Sequence, residues 1–161
     1  MYQLLLPKHS SKTLNLFRTK LFFFFFIASP NFVFSSPNND LIKNTEKGNF
    51  KGVVEAIKNK ADVNVRGAGG YTPLMDAAWN GYIRIVEFLI HSGALIDAKS
   101  KNGYTPLMLA SIQGHDEIVK ILVNNNANLN LKNKNGETAL LMAKRKKLKR
   151  IVTILQNSGA K

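Results

Sequence analysis

The sequence predicts an all-α solenoid of about four helix–turn–helix units, each 33 residues long and joined by hairpin connectors. Three landmarks carry that reading. Gly70-Tyr71-Thr72-Pro73-Leu74-Met75 recurs as Gly103-Tyr104-Thr105-Pro106-Leu107-Met108, then as Gly136-Glu137-Thr138-Ala139-Leu140-Leu141. Gly48, Gly81 and Gly114 keep the same step, as do Ala61, Ala94, Ala127 and Ala160. Three unrelated landmarks at one spacing mark stacked copies of a unit that cannot bury its apolar face alone.

Each unit reads in order. Thr72 and Thr105 are expected to cap a short first helix, over Thr72 to Asn80 and Thr105 to Gln113. Pro73 and Pro106 fall at its first position, where a missing N–H breaks no intrahelical bond. Ala77-Ala78 and Ala110-Ser111 permit close packing, and Gly81 and Gly114 allow the reversal that follows. The second helix carries Ile85, Val86, Leu89 and Ile90, then Ile118, Val119, Leu122 and Val123, one apolar face at helical period. Gly93 and Asn126, both tolerant of the left-handed conformation, are expected to end it. An extended connector follows, with Ile96 and Leu129 as its expected buried residues.

The units are expected at 41–66, 67–99, 100–132 and 133–161. The first lacks Thr-Pro-Leu but keeps Gly48, Val53, Ile57 and Ala61-Asp62-Val63-Asn64, and reads as an N-terminal cap. The last keeps Thr138, Leu140, Ala143, Ile151, Val152, Ile154 and Leu155. Terminal units need a polar outer face, since nothing stacks on them.

These motifs resemble the ankyrin repeat, over about residues 41–161. The resemblance rests on Thr72 to Ala78 with Asn80-Gly81, on Thr105 to Ala110 with Gly114-His115, and on Ser92-Gly93-Ala94. It implies an all-α ankyrin-repeat solenoid with a binding face made of hairpin tips and the exposed side of the first helices. The chain departs from the family pattern where histidine usually follows Thr-Pro-Leu. Met75, Met108 and Leu141 stand there, so the loops are expected to be less rigid than in an ideal array. Gly67, Ser100 and Asn133 replace the aspartate that commonly opens the hairpin.

Residues 1–35 read as a secretory signal peptide, with a short linker at 36–40 and the repeat domain at 41–161. Lys8, Lys12, Arg18 and Lys20 precede an apolar run from Leu21 to Ala28, and Val33 and Ser35 suit the small-residue subsites of the peptidase. Cleavage is expected after Ser35, giving a secreted or periplasmic protein. An uncleaved membrane anchor is the alternative reading, and a mitochondrial presequence a third. Against the anchor, Leu21 to Phe34 would span about 21 Å as a helix, short of the roughly 30 Å hydrocarbon core, and Pro30 interrupts it.

No catalytic constellation is legible. The absence of cysteine excludes a disulfide framework, a thiolate zinc site and a cysteine nucleophile. His9, His91 and His115 lack metal-ligand spacing, and His115 reads as a structural turn residue. Gly67 to Gly70 lacks the following Lys-Ser/Thr of a phosphate loop and reads as a hairpin tip. The expectation is a monomeric, non-catalytic module without cofactor or metal that binds a protein partner.

The 33-residue step also places the candidate binding residues. Arg66, Lys99 and Lys132 lead into the hairpins, and Lys101 and Lys134 follow two positions on, so five cations are expected along one edge. They would steer an acidic partner, unless they serve only solubility. Tyr71 and Tyr104 share one tip position, and Trp79, Ile112 and Arg145 share one position on the first helices. Tyr71, Trp79, Tyr104 and Ile112 are the expected apolar anchors, with partial burial against the next unit as the bland alternative.

The densest charge is Lys144, Arg145, Lys146 and Lys147, followed by Lys149 and Arg150. It reads either as a solvated cap or as a site for a polyanion or acidic membrane surface. The last unit has no aromatic residue, which argues against base stacking on nucleic acid. The net charge of +13 divides into +4 over residues 1–34, +1 over 35–131 and +8 over 132–161, so the excess sits at one end of the array.

Overall fold

Ser36 starts the first helix. Its Oγ accepts the Asn39 N–H at 3.3 Å, Pro37 stands in the first turn, and α1 runs Pro37–Glu46. The stretch 36–40, expected as a linker, is therefore the cap and first turn of a helix. Ser-Pro supplies there the same signal that Thr-Pro supplies in later units. The computed structural model describes residues 35–161. The expected leader lies outside these residues, apart from Ser35, which is exposed.

Four helix pairs follow one another: α1 with α2 (Phe50–Lys58), α3 (Pro73–Asn80) with α4 (Ile83–His91), α5 (Pro106–Gln113) with α6 (Asp116–Asn124), and α7 (Ala139–Arg145) with α8 (Lys149–Asn157). A single 3-10 turn, Ala68–Gly70, forms the first hairpin tip, and the described residues contain no strand. Thr72 and Thr105 cap their helices as expected, and Thr138 does the same in the fourth unit. Thr72, Thr105 and Thr138 each accept the backbone N–H three residues on, at 3.4, 3.3 and 3.3 Å.

The first helices stack in one row, α1 on α3 on α5 on α7, and the second helices in another, α2 on α4 on α6 on α8. Equivalent residues form continuous columns through the core. Leu41, Leu74, Leu107 and Leu140 make one, each at most 4% exposed. Ala56, Leu89, Leu122 and Leu155 make another. In the first three units the first-helix row is lined by small buried residues, Thr45, Ala78 and Ser111, while the fourth unit places the exposed Lys144 there. Ile96 and Leu129 are half-buried and pack against this core rather than within it.

The reversal between paired helices doubles as a stacking seat. A Cβ on Gly81 would lie 2.6 Å from the His115 ring, and one on Gly48 would lie 2.8 Å from the Tyr82 ring. The ring of each following unit thus occupies the space that glycine leaves empty. His115 also donates its Nε2–H to the Trp79 carbonyl at 3.0 Å, satisfying one of the open carbonyls near the end of α3. Lys147 holds the corresponding turn position in the fourth unit at φ 58, with no further unit above it among the described residues.

Candidate functional site

Hairpin tips and first helices together present one face, and the backbone fixes how the tips align. Lys101 N–H donates to the Gly69 carbonyl at 2.9 Å, and Lys134 N–H to the Asn102 carbonyl at 3.0 Å. Ser100 Oγ accepts the Tyr104 N–H at 3.1 Å, and Asn133 Oδ1 accepts the Glu137 N–H at 2.9 Å. Serine and asparagine therefore perform the loop bonding for which the family commonly uses aspartate; Gly67 has no side chain to do so. Met75 and Met108 are fully buried, so packing fills the place of the usual imidazole.

All five edge cations are exposed, and they differ in what they bind. Arg66 Nη1 donates to the Gly70 carbonyl at 3.0 Å and to the Lys99 carbonyl at 2.8 Å. Lys99 Nζ donates to the Lys132 carbonyl at 3.2 Å. These two stitch each hairpin to the next, a structural duty beside any binding one. Lys101, Lys132 and Lys134 have no side-chain partner among the described residues and stand open to solvent.

The apolar anchors separate as well. Trp79 is 42% exposed. Tyr71 and Tyr104 are half-buried against Met75, Ala98 and Leu109, and Ile112 is half-buried against the main core. Of the four, Trp79 offers the large open apolar surface. Its column runs Glu46, Trp79, Ile112, Arg145, from an acid in the first unit to a base in the fourth.

A groove of about 330 Å3 opens beside Trp79 between the first two units, lined by Ile42 and Glu46 of α1 and by Tyr71, Asp76 and Trp79. Burial, reinforced by the negative charge of Glu46, pushes the Asp76 carboxyl up to about 6. The Tyr71 phenol is raised too, by burial first and then by Tyr104 and Asp76. Asp76 was not among the expected site residues. The signal was present: one and two steps on, the same column holds Leu109 and Met142, both buried, while one step back it holds the exposed Lys43, so Asp76 is an acid where the later units pack apolar side chains.

A second missed set is structural. Asn64 accepts the Leu95 N–H at 2.8 Å, Asp97 the Asn128 N–H at 3.0 Å, and Asn130 the Lys161 N–H at 2.8 Å. One polar side chain in each of the first three units thus captures the backbone of the next, at the 33-residue step.

The basic cluster of the fourth unit is exposed throughout. Arg145 pairs with Glu137, and Arg150 reaches Asp116 of α6 at 3.0 Å. Lys144, Lys146, Lys147 and Lys149 have no acidic partner among the described residues. No group of three His, Asp or Glu side chains is placed to hold a metal among the described residues, and no helix there is long and apolar enough to cross a membrane.

A family model described as ankyrin repeats (3 copies) matches residues 93–161, and one described as ankyrin repeat matches residues 69–101. A search of curated proteins found no match. The two family matches meet over the second, third and fourth units, and the structure adds a first unit of the same build. Spanning residues 69–161 together, they cover more than half of the sequence, and the chain belongs to the ankyrin-repeat family, whose repeats are generally protein–protein interaction modules.

Proposed function

We propose that this protein is a non-catalytic, exported interaction module that binds one protein partner across its hairpin tips and first helices. The observation that carries the reading is the exposed Trp79 on the first-helix row together with exposed tip cations that recur at equivalent positions of successive units. An exposed tryptophan supplies the large rigid contact that dominates binding energy at interfaces. Lys101, Lys132 and Lys134, free of internal partners, steer an acidic stretch of the partner.

The test is association kinetics with a partner captured by the full chain. Substituting Lys101, Lys132 and Lys134 by serine slows association, with the loss greatest at low salt, where screening is weakest. Trp79→Ala speeds dissociation instead. Association at low salt that is unchanged in the lysine variant overturns the steering role. Export rests on the composition of residues 1–35, and sequencing the N-terminus of the released protein tests it, with Ser36 as the expected first residue.

A second reading places a polyanion or acidic membrane surface on the fourth unit. The unpaired Lys144, Lys146, Lys147 and Lys149 favour it, beside a cleft of about 390 Å3 next to Lys147, Lys149 and Arg150. Binding of this kind weakens steeply with salt and is lost on neutralising residues 144–150, whatever the polyanion. Saturable one-to-one binding to one protein, insensitive to that neutralisation, excludes it.

A further inference from the structure

The groove between the first two units is chemically unlike the rest of the binding face. The tips and the fourth unit are basic, yet here two carboxylates, Glu46 and Asp76, converge with Tyr71 and Trp79. Neither carboxylate has an ion-pair partner among the described residues, and no side-chain hydrogen bond satisfies Asp76. The chain carries 23 lysines and arginines, so cations are not scarce. The tip position that holds Lys101 and Lys134 in later units holds Ala68 here, at the rim of the groove. No lysine or arginine lines the groove, and Lys43, one step before Asp76 in its column, is exposed and pairs with neither acid.

Asp76 also comes at a cost to the fold. Leu109 and Met142 in the same column are buried and apolar, and Asp76 sits partly buried where they pack. Unneutralised charge held in a concave site is a mark of ligand recognition. The walls point to one ligand chemistry. Carboxylates attract a cation, and the faces of Trp79 and Tyr71 offer the ring quadrupole that also favours one. A flat guanidinium or an ammonium on an aliphatic stem fits an aromatic wall with a charged floor.

We propose that this groove accepts a single arginine or lysine side chain from an exposed segment of the protein partner. The inference deepens the protein-binding reading and rests on it. It also gives the binding face a polarity. A partner segment lying along the column would place its basic residue over Glu46 and Asp76, and its acidic residues toward Lys101, Lys134 and the fourth unit. Reversed segments would meet like charges at both ends, so orientation follows from charge order.

Trp79 is the sole tryptophan, which makes its emission a direct report on the groove. The full chain is titrated with a blocked Gly-Arg-Gly peptide and with the same peptide carrying citrulline, a neutral isostere of arginine. The arginine peptide is expected to change Trp79 emission saturably, and the citrulline peptide to bind about five-fold more weakly or less. Asp76→Asn and Glu46→Gln each reduce the arginine response by about five-fold without unfolding the chain. Equal binding of both peptides, or an undiminished response in both variants, overturns the assignment. A captured partner that is released by Trp79→Ala but held unchanged by Asp76→Asn keeps the binding face and removes this pocket from it.

Discussion

Asp76 shows how one residue can be read against its column. Its column runs from the exposed Lys43 through Asp76 to the buried, apolar Leu109 and Met142, and its carboxyl is raised from 3.8 to about 6 by burial and then by Glu46. In the folded chain it therefore holds its proton through a range where the unfolded chain has released it. The native state binds more protons between those two values, so stability falls as pH rises from about 4 to about 6, and the loss is complete above that. The Asp76→Asn variant is expected to be more stable than the parent by about 1 kcal/mol at pH 7.5, after allowing for partial solvent screening. At pH 4 the two should be nearly equal. Urea unfolding at both values checks the sign, and a gap that shrinks as pH rises contradicts it. Ser111 is a quieter case: its hydroxyl is buried without a hydrogen-bond partner among the described residues, so burying it costs desolvation that no bond offsets.

At the scale of the helix pair, the turn glycines serve two needs. They supply the left-handed backbone and vacate the seat for the next unit's ring. Gly81 meets both, at φ 81 and with the His115 ring in the way of any Cβ, so Gly81→Ala is expected to destabilise by about 2–4 kcal/mol. Gly136 has the same sign of φ, at 75, but nothing within 4 Å of a Cβ, so Gly136→Ala loses only the backbone part, about 1–2 kcal/mol. Thermal unfolding of the two variants checks the difference; equal losses would mean that the ring seat adds nothing. These elements were legible because caps, prolines and glycines act locally and recur. Thr72 and Thr105 were placed to the residue. The start of α1 was not, because Ser36-Pro37 lies beyond the repeat landmarks and its cap signal was read as linker. The stitching by Arg66, Asn64, Asp97 and Asn130 was hidden for another reason. It joins residues 31 or 33 apart, and only the stacked geometry says which backbone groups face them.

Across the whole array, charge is ordered rather than spread. The column Glu46, Trp79, Ile112, Arg145 passes from acid through apolar to base, and the unpaired lysines gather on the fourth unit. Sequence alone located the basic end, since charge counts need no structure. It could not locate the acidic groove, because Glu46 and Asp76 lie in different units and meet only when α1 stacks on α3. Nor could it rank the anchors, since burial of Tyr104 and Ile112 depends on what packs over them. The fold was thus largely written in local, repeated signals, while the site emerges from contacts between units. On the proposed reading one face, tips and first helices together, receives the partner. Hydrogen exchange of the captured complex against the free chain tests it most directly. Added protection is expected at the hairpin tips and in α1, α3 and α5, strongest around Tyr71 to Asn80, with α2, α4 and α6 unchanged. Protection that falls instead on the second helices, or only on residues 144–150, would contradict it.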